Sequence, residues 1–312
     1  MPDIRKHSLL AHLASIISFT LLFAFVILPY NTIRCQDDET DVVRVNTDLV
    51  VLNVTVIDRA GKFVHLLTRK DFKLFVDGRE QTFSSFMPEE TPFVAAVLLD
   101  TSESMEQRVM LARSAAIRFL QELRPDDNAS VYRFDSEVEQ IQDYSTSRDL
   151  GDIAFSIRAE GMTALNDAVL RAATDLGQRS ESRRAVVLLS DGADTRSKAS
   201  AGKALEAALA SNATIYAVDM ASINRASSRT PNASAALQNF ASKTGGRYIS
   251  SPGGPVMREA FGQIAEELSN QYTLTYAPPP GGRDGHWHTL EIRVSHPDVI
   301  VRTRKGYHSP KI

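Results

Sequence analysis

Between Phe93 and Met105 the chain reads Phe-Val-Ala-Ala-Val-Leu-Leu-Asp-Thr-Ser-Glu-Ser-Met, which places Asp100, Ser102 and Ser104 at alternate positions just past a continuous apolar run. Three oxygen-bearing side chains at i, i+2 and i+4 on one tight loop can converge on a single point. Hydroxyls and a carboxylate are hard ligands, and the point they suit is a hard divalent cation such as Mg²⁺ or Mn²⁺. The same residues would serve equally as helix caps, because Ser and Asp are favoured at N-caps. Two later stretches supply matching groups. Gly161-Met162-Thr163-Ala164-Leu165 opens a helical segment with a hydroxyl at its start, and Val186 to Ser190 is an apolar run ending in Asp191-Gly192. Each has its own local reading, a cap for Thr163 and a turn for Asp191-Gly192.

The elements that must position these loops follow from the hydrophobic pattern. Phe93 to Leu99, Asn128 to Phe134, Ala185 to Ser190 and Thr214 to Asp219 are short runs of the kind that form parallel strands covered on both faces. Between them, Met105 to Leu123, Ala164 to Leu176, Ala199 to Ser211, Ala233 to Thr244 and Val256 to Leu268 carry apolar residues at helical spacing. Gly245-Gly246 is a helix stop. A short helix is also expected over Leu150 to Ile157, an edge strand or loop over Glu137 to Tyr144, and a polar surface insertion over Ile223 to Ser234. Strands alternating with helices predict an α/β fold, a doubly wound and mostly parallel sheet whose ligand loops gather at the strands' carboxyl ends.

On either side of this core the pattern changes to period two. Residues 42–90 form an N-terminal β region in which Asp77-Gly78 marks a hairpin. Residues 271–312 hold three more strands, at Gln271 to Tyr276, Trp287 to Ser295 and Val299 to Arg304. The N-terminal stretch is marginal as an independent domain. The two ends are therefore expected to build one small β-sandwich beside an inserted α/β domain over residues 91–270.

From about Pro92 to Tyr276 the chain resembles the von Willebrand factor A domain. In that family Asp-x-Ser-x-Ser, a Thr on a second loop and an Asp on a third form a metal-ion-dependent adhesion site, and Asp100, Ser102, Ser104, Thr163 and Asp191 fill those positions. The resemblance implies Mg²⁺, with Mn²⁺ or Ca²⁺ as alternatives, held by the three hydroxyls and waters and backed by Asp100 and Asp191. It also implies a protein partner offering an Asp or Glu carboxylate, with Glu103 and Met162 on the partner-binding rim. The Asp71-Phe72 hairpin and the Arg302-to-Tyr307 tail are similar to A-domain-related proteins abundant in acidobacteria.

The chain has 312 residues, 43% hydrophobic and 23% charged, which marks it as globular. A net charge of -3 argues against nucleic acid as the main partner. The single cysteine, Cys35, excludes an internal disulfide. Arg5 and Lys6 followed by the apolar stretch Leu9 to Leu28 predict an export signal, or an uncleaved anchor, within residues 1–35. The expected setting is periplasmic, membrane-anchored or secreted. All seven histidines, at His7, His12, His65, His286, His288, His296 and His308, lie outside Pro92 to Tyr276. A Gly161-Met-Thr-Ala nucleophile loop with Asp100 as the acid would thus lack a nearby base. His286 and His288 are expected as exposed strand residues. These readings favour a metal-dependent binding module without catalysis. A structural or assembly domain is the second reading, and a hydrolase the third.

Overall fold

In the computed structural model, which describes residues 49–89, 91–151, 159–221, 232–250, 255–279 and 284–309, four strands come first. They are β1 (Val50–Asp58), β2 (Phe72–Val76), β3 (Arg79–Gln81) and β4 (Ser85–Met87). An α/β stretch follows with β5 (Phe93–Asp100), α1 (Val109–Glu122), β6 (Asn128–Phe134), β7 (Val138–Ser145), α2 (Leu165–Gly177) and β8 (Arg183–Ser190). It continues with α3 (Ala201–Ala210), β9 (Ala213–Asp219), α4 (Asn232–Thr244), β10 (Tyr248–Ser250) and α5 (Pro255–Ser269). The last strands are β11 (Tyr272–Tyr276), β12 (Trp287–Val294), β13 (Val299–Arg302) and β14 (Gly306–His308).

The central sheet has the order β10-β9-β8-β5-β6-β7, and only the edge strand β7 runs antiparallel. Every residue of β5 is buried. Its side chains alternate between two cores, as strand geometry requires. Phe93, Ala95, Val97 and Leu99 pack with Ala112, Ala116 and Phe119 of α1 and Phe261 and Ile264 of α5. Val94, Ala96 and Leu98 pack on the opposite face with Leu165, Ala168 and Ala172 of α2, Ala204 of α3 and Phe240 of α4. The chain builds outward from β5 through β6 and β7, then returns through α2 to place β8 on β5's other side. That reversal makes the carboxyl ends of β5 and β8 the topological switch point, where an open α/β sheet leaves a crevice.

Two antiparallel four-stranded sheets, β13-β1-β11-β4 and β14-β12-β2-β3, form a sandwich from the two ends of the described chain. Its core contains Leu52, Val54, Val56 and Leu274 of the first sheet with Phe72, Leu74, Val76 and Ile292 of the second. Asp77 and Gly78 both have positive φ, 48° and 77°, the twist a two-residue hairpin needs between β2 and β3. Strand β4, which leads into β5, pairs with β11, which leaves α5. The α/β stretch therefore enters and leaves the sandwich on neighbouring strands. Helix α1 begins at Val109, later than the periodicity predicts, because Glu103–Met105 forms a separate 3₁₀ turn. The expected helix over Leu150 to Ile157, the insertion over Ile223 to Ser234 and the amino-terminal segment lie wholly or mostly outside the described residues.

The outer face of β1 carries polar residues that meet the α/β stretch. Thr55 donates to Glu267 Oε1 (3.0 Å), Tyr216 donates to the same oxygen (3.1 Å), and the Gln271 amide donates to both hydroxyls (3.1 and 2.9 Å). Arg302 closes the network with an ion pair to Glu267, which is 1% exposed. Removing one partner of a buried pair leaves the other charge uncompensated, at a cost of about 3–5 kcal/mol. Arg302 keeps partial solvent access, so Arg302→Ala is expected at the lower end, about 3 kcal/mol. Arg302→Ala/Glu267→Leu should recover part of that loss. Urea unfolding of both variants checks this; equal losses would refute the pairing as the cause.

His288 departs from the expectation of an exposed strand residue. Its side chain is only 15% exposed, with Nδ1 2.7 Å from Asp77 Oδ2 and Nε2 3.3 Å from Asp284 Oδ1, and its ring stacks on Tyr307. Alternation along β12 could not reveal this, because Asp77 lies 211 residues away on the hairpin turn. The Asp77 carboxylate raises the His288 pKa, while burial opposes it. The His288 contact lowers Asp77; the His286 amide and the Ser309 hydroxyl lower Asp284. A raised histidine contributes stability that is fully present below its unfolded value of about 6.5 and is lost as pH rises through the folded value. Depressed carboxylates contribute above their unfolded range near 4 and lose that contribution as pH falls. The melting-temperature gap between wild type and His288→Gln is therefore expected to peak between about pH 4.5 and 6.5 and to shrink by pH 9. A gap independent of pH would contradict the ion-pair origin.

Candidate functional site

At the switch point a buried carboxyl group accepts from two serine hydroxyls. Asp100 ends β5, fully buried. Its Oδ1 accepts from the Ser102 amide (3.0 Å) and the Ser102 hydroxyl (2.5 Å), and its Oδ2 accepts from the Ser190 hydroxyl (2.5 Å). Ser102 Oγ lies 3.2 Å from Ser104 Oγ. The alternation of residues 100, 102 and 104 thus puts all three side chains on one side of the loop. Ser102 is 1% exposed, and Ser104 is half-buried.

Backbone bonds hold the other two loops against this one. The Glu103 amide donates to the Gly161 carbonyl (3.2 Å), and the Glu160 amide donates to the Thr101 carbonyl (2.9 Å). Thr163, 3% exposed, accepts on its carbonyl from the amides of Thr195 and Arg196 (both 2.9 Å), which belong to the loop after β8. Its own amide donates to Thr195 Oγ1 (3.0 Å). Asp191 Oδ1 accepts from the Ala193 amide (3.1 Å), and the Asp191 charge contributes to the raised pKa of Asp100. Ser102 therefore touches both Asp100 and Ser104. Thr163 and Asp191 arrive on loops tied to theirs, without a described side-chain bond to the three. Glu103 is exposed on the turn between the two serines, and Met162 is exposed beside Thr163.

Three contributors go beyond the five residues that the spacing singles out. Ser190 is fully buried, accepts from the Gly192 amide (3.0 Å) and supplies one of the hydroxyls on Asp100. Thr195 braces Thr163, and Ser136 accepts from the Met162 amide (3.1 Å). Gly161 has φ of 73°, and a Cβ there would sit 2.6 Å from Ser136 Oγ, so the second loop needs glycine to pass this close. Ser-Asp-Gly at a strand end was the available signal for Ser190. The roles of Thr195 and Ser136 had none, since each bond crosses between elements.

The donor chemistry fits a hard dication. Burial pushes the Asp100 carboxyl up to about 7 despite the hydroxyl and amide bonds that favour its charged form. A buried carboxylate without a positive partner is costly, and no ion pair involving Asp100 is formed among the described residues. Among the described residues no three His, Cys, Asp or Glu side chains cluster as metal ligands. The candidate set is therefore hydroxyl-rich: Ser102, Ser104 and Thr163, with Asp100 and Asp191 behind them. Oxygen ligands with few formal charges suit Mg²⁺, which keeps several of its waters.

A doubly wound α/β domain with a hydroxyl and carboxylate crevice at its switch point is the class that these features define. The family model of the von Willebrand factor type A domain matches residues 96–259, just over half of the chain, and the chain belongs to that family. Among solved structures, the conserved hypothetical protein BatB from Bacteroides thetaiotaomicron is 16% identical, with 57% of this chain and 98% of that one covered and a TM-score of 0.47. A von Willebrand factor type A protein from Catenulispora acidiphila is 12% identical over 77% of this chain and 74% of that one, TM-score 0.47. The PilB minor pilin from Streptococcus sanguinis is 11% identical over 58% and 62%, TM-score 0.46. Among curated proteins none matches the chain.

Proposed function

We propose that this protein is an exported, non-catalytic binding module that captures a carboxylate of a partner protein through a divalent cation held by Ser102, Ser104 and Thr163. The observation that carries the reading is Asp100: a fully buried carboxylate that accepts from the Ser102 and Ser190 hydroxyls and forms no ion pair among the described residues. Bound at these groups, the cation would supply an electrophilic position for an outside Asp or Glu. Asp100 and Ser190 orient the Ser102 hydroxyl. The cross-loop amide bonds from Glu103, Glu160, Thr195 and Arg196 hold the three loops in register. Because those bonds need no ion, the site is preorganised, which lowers the ordering cost of binding. Asp191 adds negative charge beside Asp100.

Export rests on the apolar segment Leu9 to Leu28, outside the described residues. Among the described residues no helix is long and apolar enough to cross a membrane. The test is Thr163→Ala in the full chain. The variant is expected to lose chelator-sensitive capture of partners from the native envelope, with the melting temperature of the metal-free protein changed by only a few degrees. Capture that persists in the variant and in excess EDTA would refute the reading. Loss of thermal stability alone, with capture intact, would move the assignment to a structural ion.

A further inference from the structure

The rim of the crevice is electrically lopsided. On the side formed by the first two loops, Glu103, Glu106 and Glu160 are all exposed. Among the described residues no Arg, Lys or His forms an ion pair with any of the three. Their positions are fixed close to the site: Glu103 sits between Ser102 and Ser104, the Glu106 amide bonds to the Glu103 carbonyl (3.1 Å), and the Glu160 amide bonds to Thr101 (2.9 Å). Met162, 47% exposed, adds an apolar contact on the same side. The loop after β8 differs in carrying cations as well as carboxylates. Arg196 and Lys198 are exposed there and likewise form no described ion pair. Of the carboxylates beside them, Asp191 accepts from the Ala193 amide, Asp194 pairs with Asn166 and accepts from the Ser197 amide, and Asp167 of α2 accepts from the Lys198 and Ala199 amides.

Three unpaired carboxylates beside the position for a partner carboxylate would repel an acidic ligand. The repulsion is relieved only if the partner brings positive charge to that side. Resting on the reading above, we propose that the partner segment is itself polar: its ligating Asp or Glu is flanked by lysine or arginine, which meet Glu103, Glu106 and Glu160. An acidic or hydroxylated group on the other flank meets Arg196 and Lys198. A uniformly acidic segment is disfavoured, so charge order around the central carboxylate sets specificity.

The experiment uses the full chain with immobilised synthetic peptides, each with one central Asp flanked by lysines on one side, by glutamates on one side, or by alanines. In Mg²⁺ at low salt the lysine-flanked peptide is expected to bind about tenfold tighter than the alanine-flanked one, from a few exposed charge pairs. The advantage should fade toward 0.5 M salt. Glu106→Lys/Glu160→Lys should reverse the order in favour of the glutamate-flanked peptide, with the Mn²⁺ affinity of both proteins measured separately. The metal-free protein gives an independent readout. The Met162 methyl resonance should be broadened more by a cationic nitroxide than by an anionic one in wild type, and the reverse in the variant. Mg²⁺-dependent binding that is indifferent to flanking charge and to the variant would overturn the rim proposal and leave the cation site standing. Absence of Mn²⁺ binding would overturn the site reading, and the proposal with it.

Discussion

An Asp100→Asn substitution is expected to reduce Mg²⁺ or Mn²⁺ affinity by about ten- to a hundredfold while raising the melting temperature of the metal-free protein. Both effects have one cause. Asp100 is fully buried, and burial raises its carboxyl from 3.8 to about 7. A carboxyl whose folded pKa lies above its unfolded value favours folding when protonated. The native state loses that advantage as pH rises from about 4 through about 7. The full shift corresponds to about 4 kcal/mol, an upper bound on what a neutral isostere could recover above pH 7. Asparagine keeps the shape, and its Oδ1 can still accept from the Ser102 amide, while the serine hydroxyls rotate to suit an amide. Stability should thus be gained at pH 8 and little changed at pH 4. Isothermal titration with Mn²⁺ and thermal melts at both pH values check the pair. Wild type, but not the variant, should be stabilised by added cation through mass action. A variant that melts lower than wild type at pH 8 without metal would show that the carboxylate is compensated by the protein itself, removing the chief support for a cation there.

Gly246→Ala is expected to cost more than 4 kcal/mol, the range reserved for severe core disruption. A Cβ at Gly246 would lie 2.0 Å from the Ile215 carbonyl oxygen and 2.7 Å from its carbon. Both belong to β9, a fully buried strand locked between β8 and β10. The two nearest atoms are backbone, so no side-chain rotation relieves the clash. The neighbouring Gly245 has φ of 84°, and its Cβ would meet the Arg304 amide at 2.3 Å, so this glycine pair also lets the tail after β13 approach. Gly262 is the contrast. It lies inside α5 with nothing within 4 Å of a Cβ, and Gly262→Ala is expected to stabilise by about 0.5–1 kcal/mol. Urea unfolding of the two variants gives the comparison. A Gly246→Ala protein within 1–2 kcal/mol of wild type would mean that β9 can shift, and with it the end of the sheet beside Ser190.

Arg304 shows how the two halves depend on such close approaches. Its buried guanidinium donates to Asn212 Oδ1 (2.8 Å), the Leu209 carbonyl (3.0 Å) and the Gly306 carbonyl (2.9 Å). Desolvation lowers its pKa to about 10, so it stays charged at neutral pH on neutral oxygens alone. As the charged last residue of the strand expected over Val299 to Arg304, it carried no sign of burial in the sequence; the structure ends that strand at Arg302.

What the sequence determined by itself was whatever depends on nearest neighbours. The continuous apolar run from Phe93 to Leu99 could only be a strand covered on both sides, because no other element buries every consecutive residue over so short a length. Asp77-Gly78 signalled a tight turn, and the alternate spacing of Asp100, Ser102 and Ser104 put three oxygens within reach of one point. Tertiary structure alone decided which distant groups meet: Ser190 with Asp100, Thr195 with Thr163, Thr55 with Glu267, and His288 with Asp77. Each pair joins elements whose order in space depends on which strand inserts beside which. A periodicity of 2 or 3.6 says that a side chain faces inward, but the polar atom it finds there is chosen by topology, since a buried donor or acceptor is stable only where the fold delivers its complement.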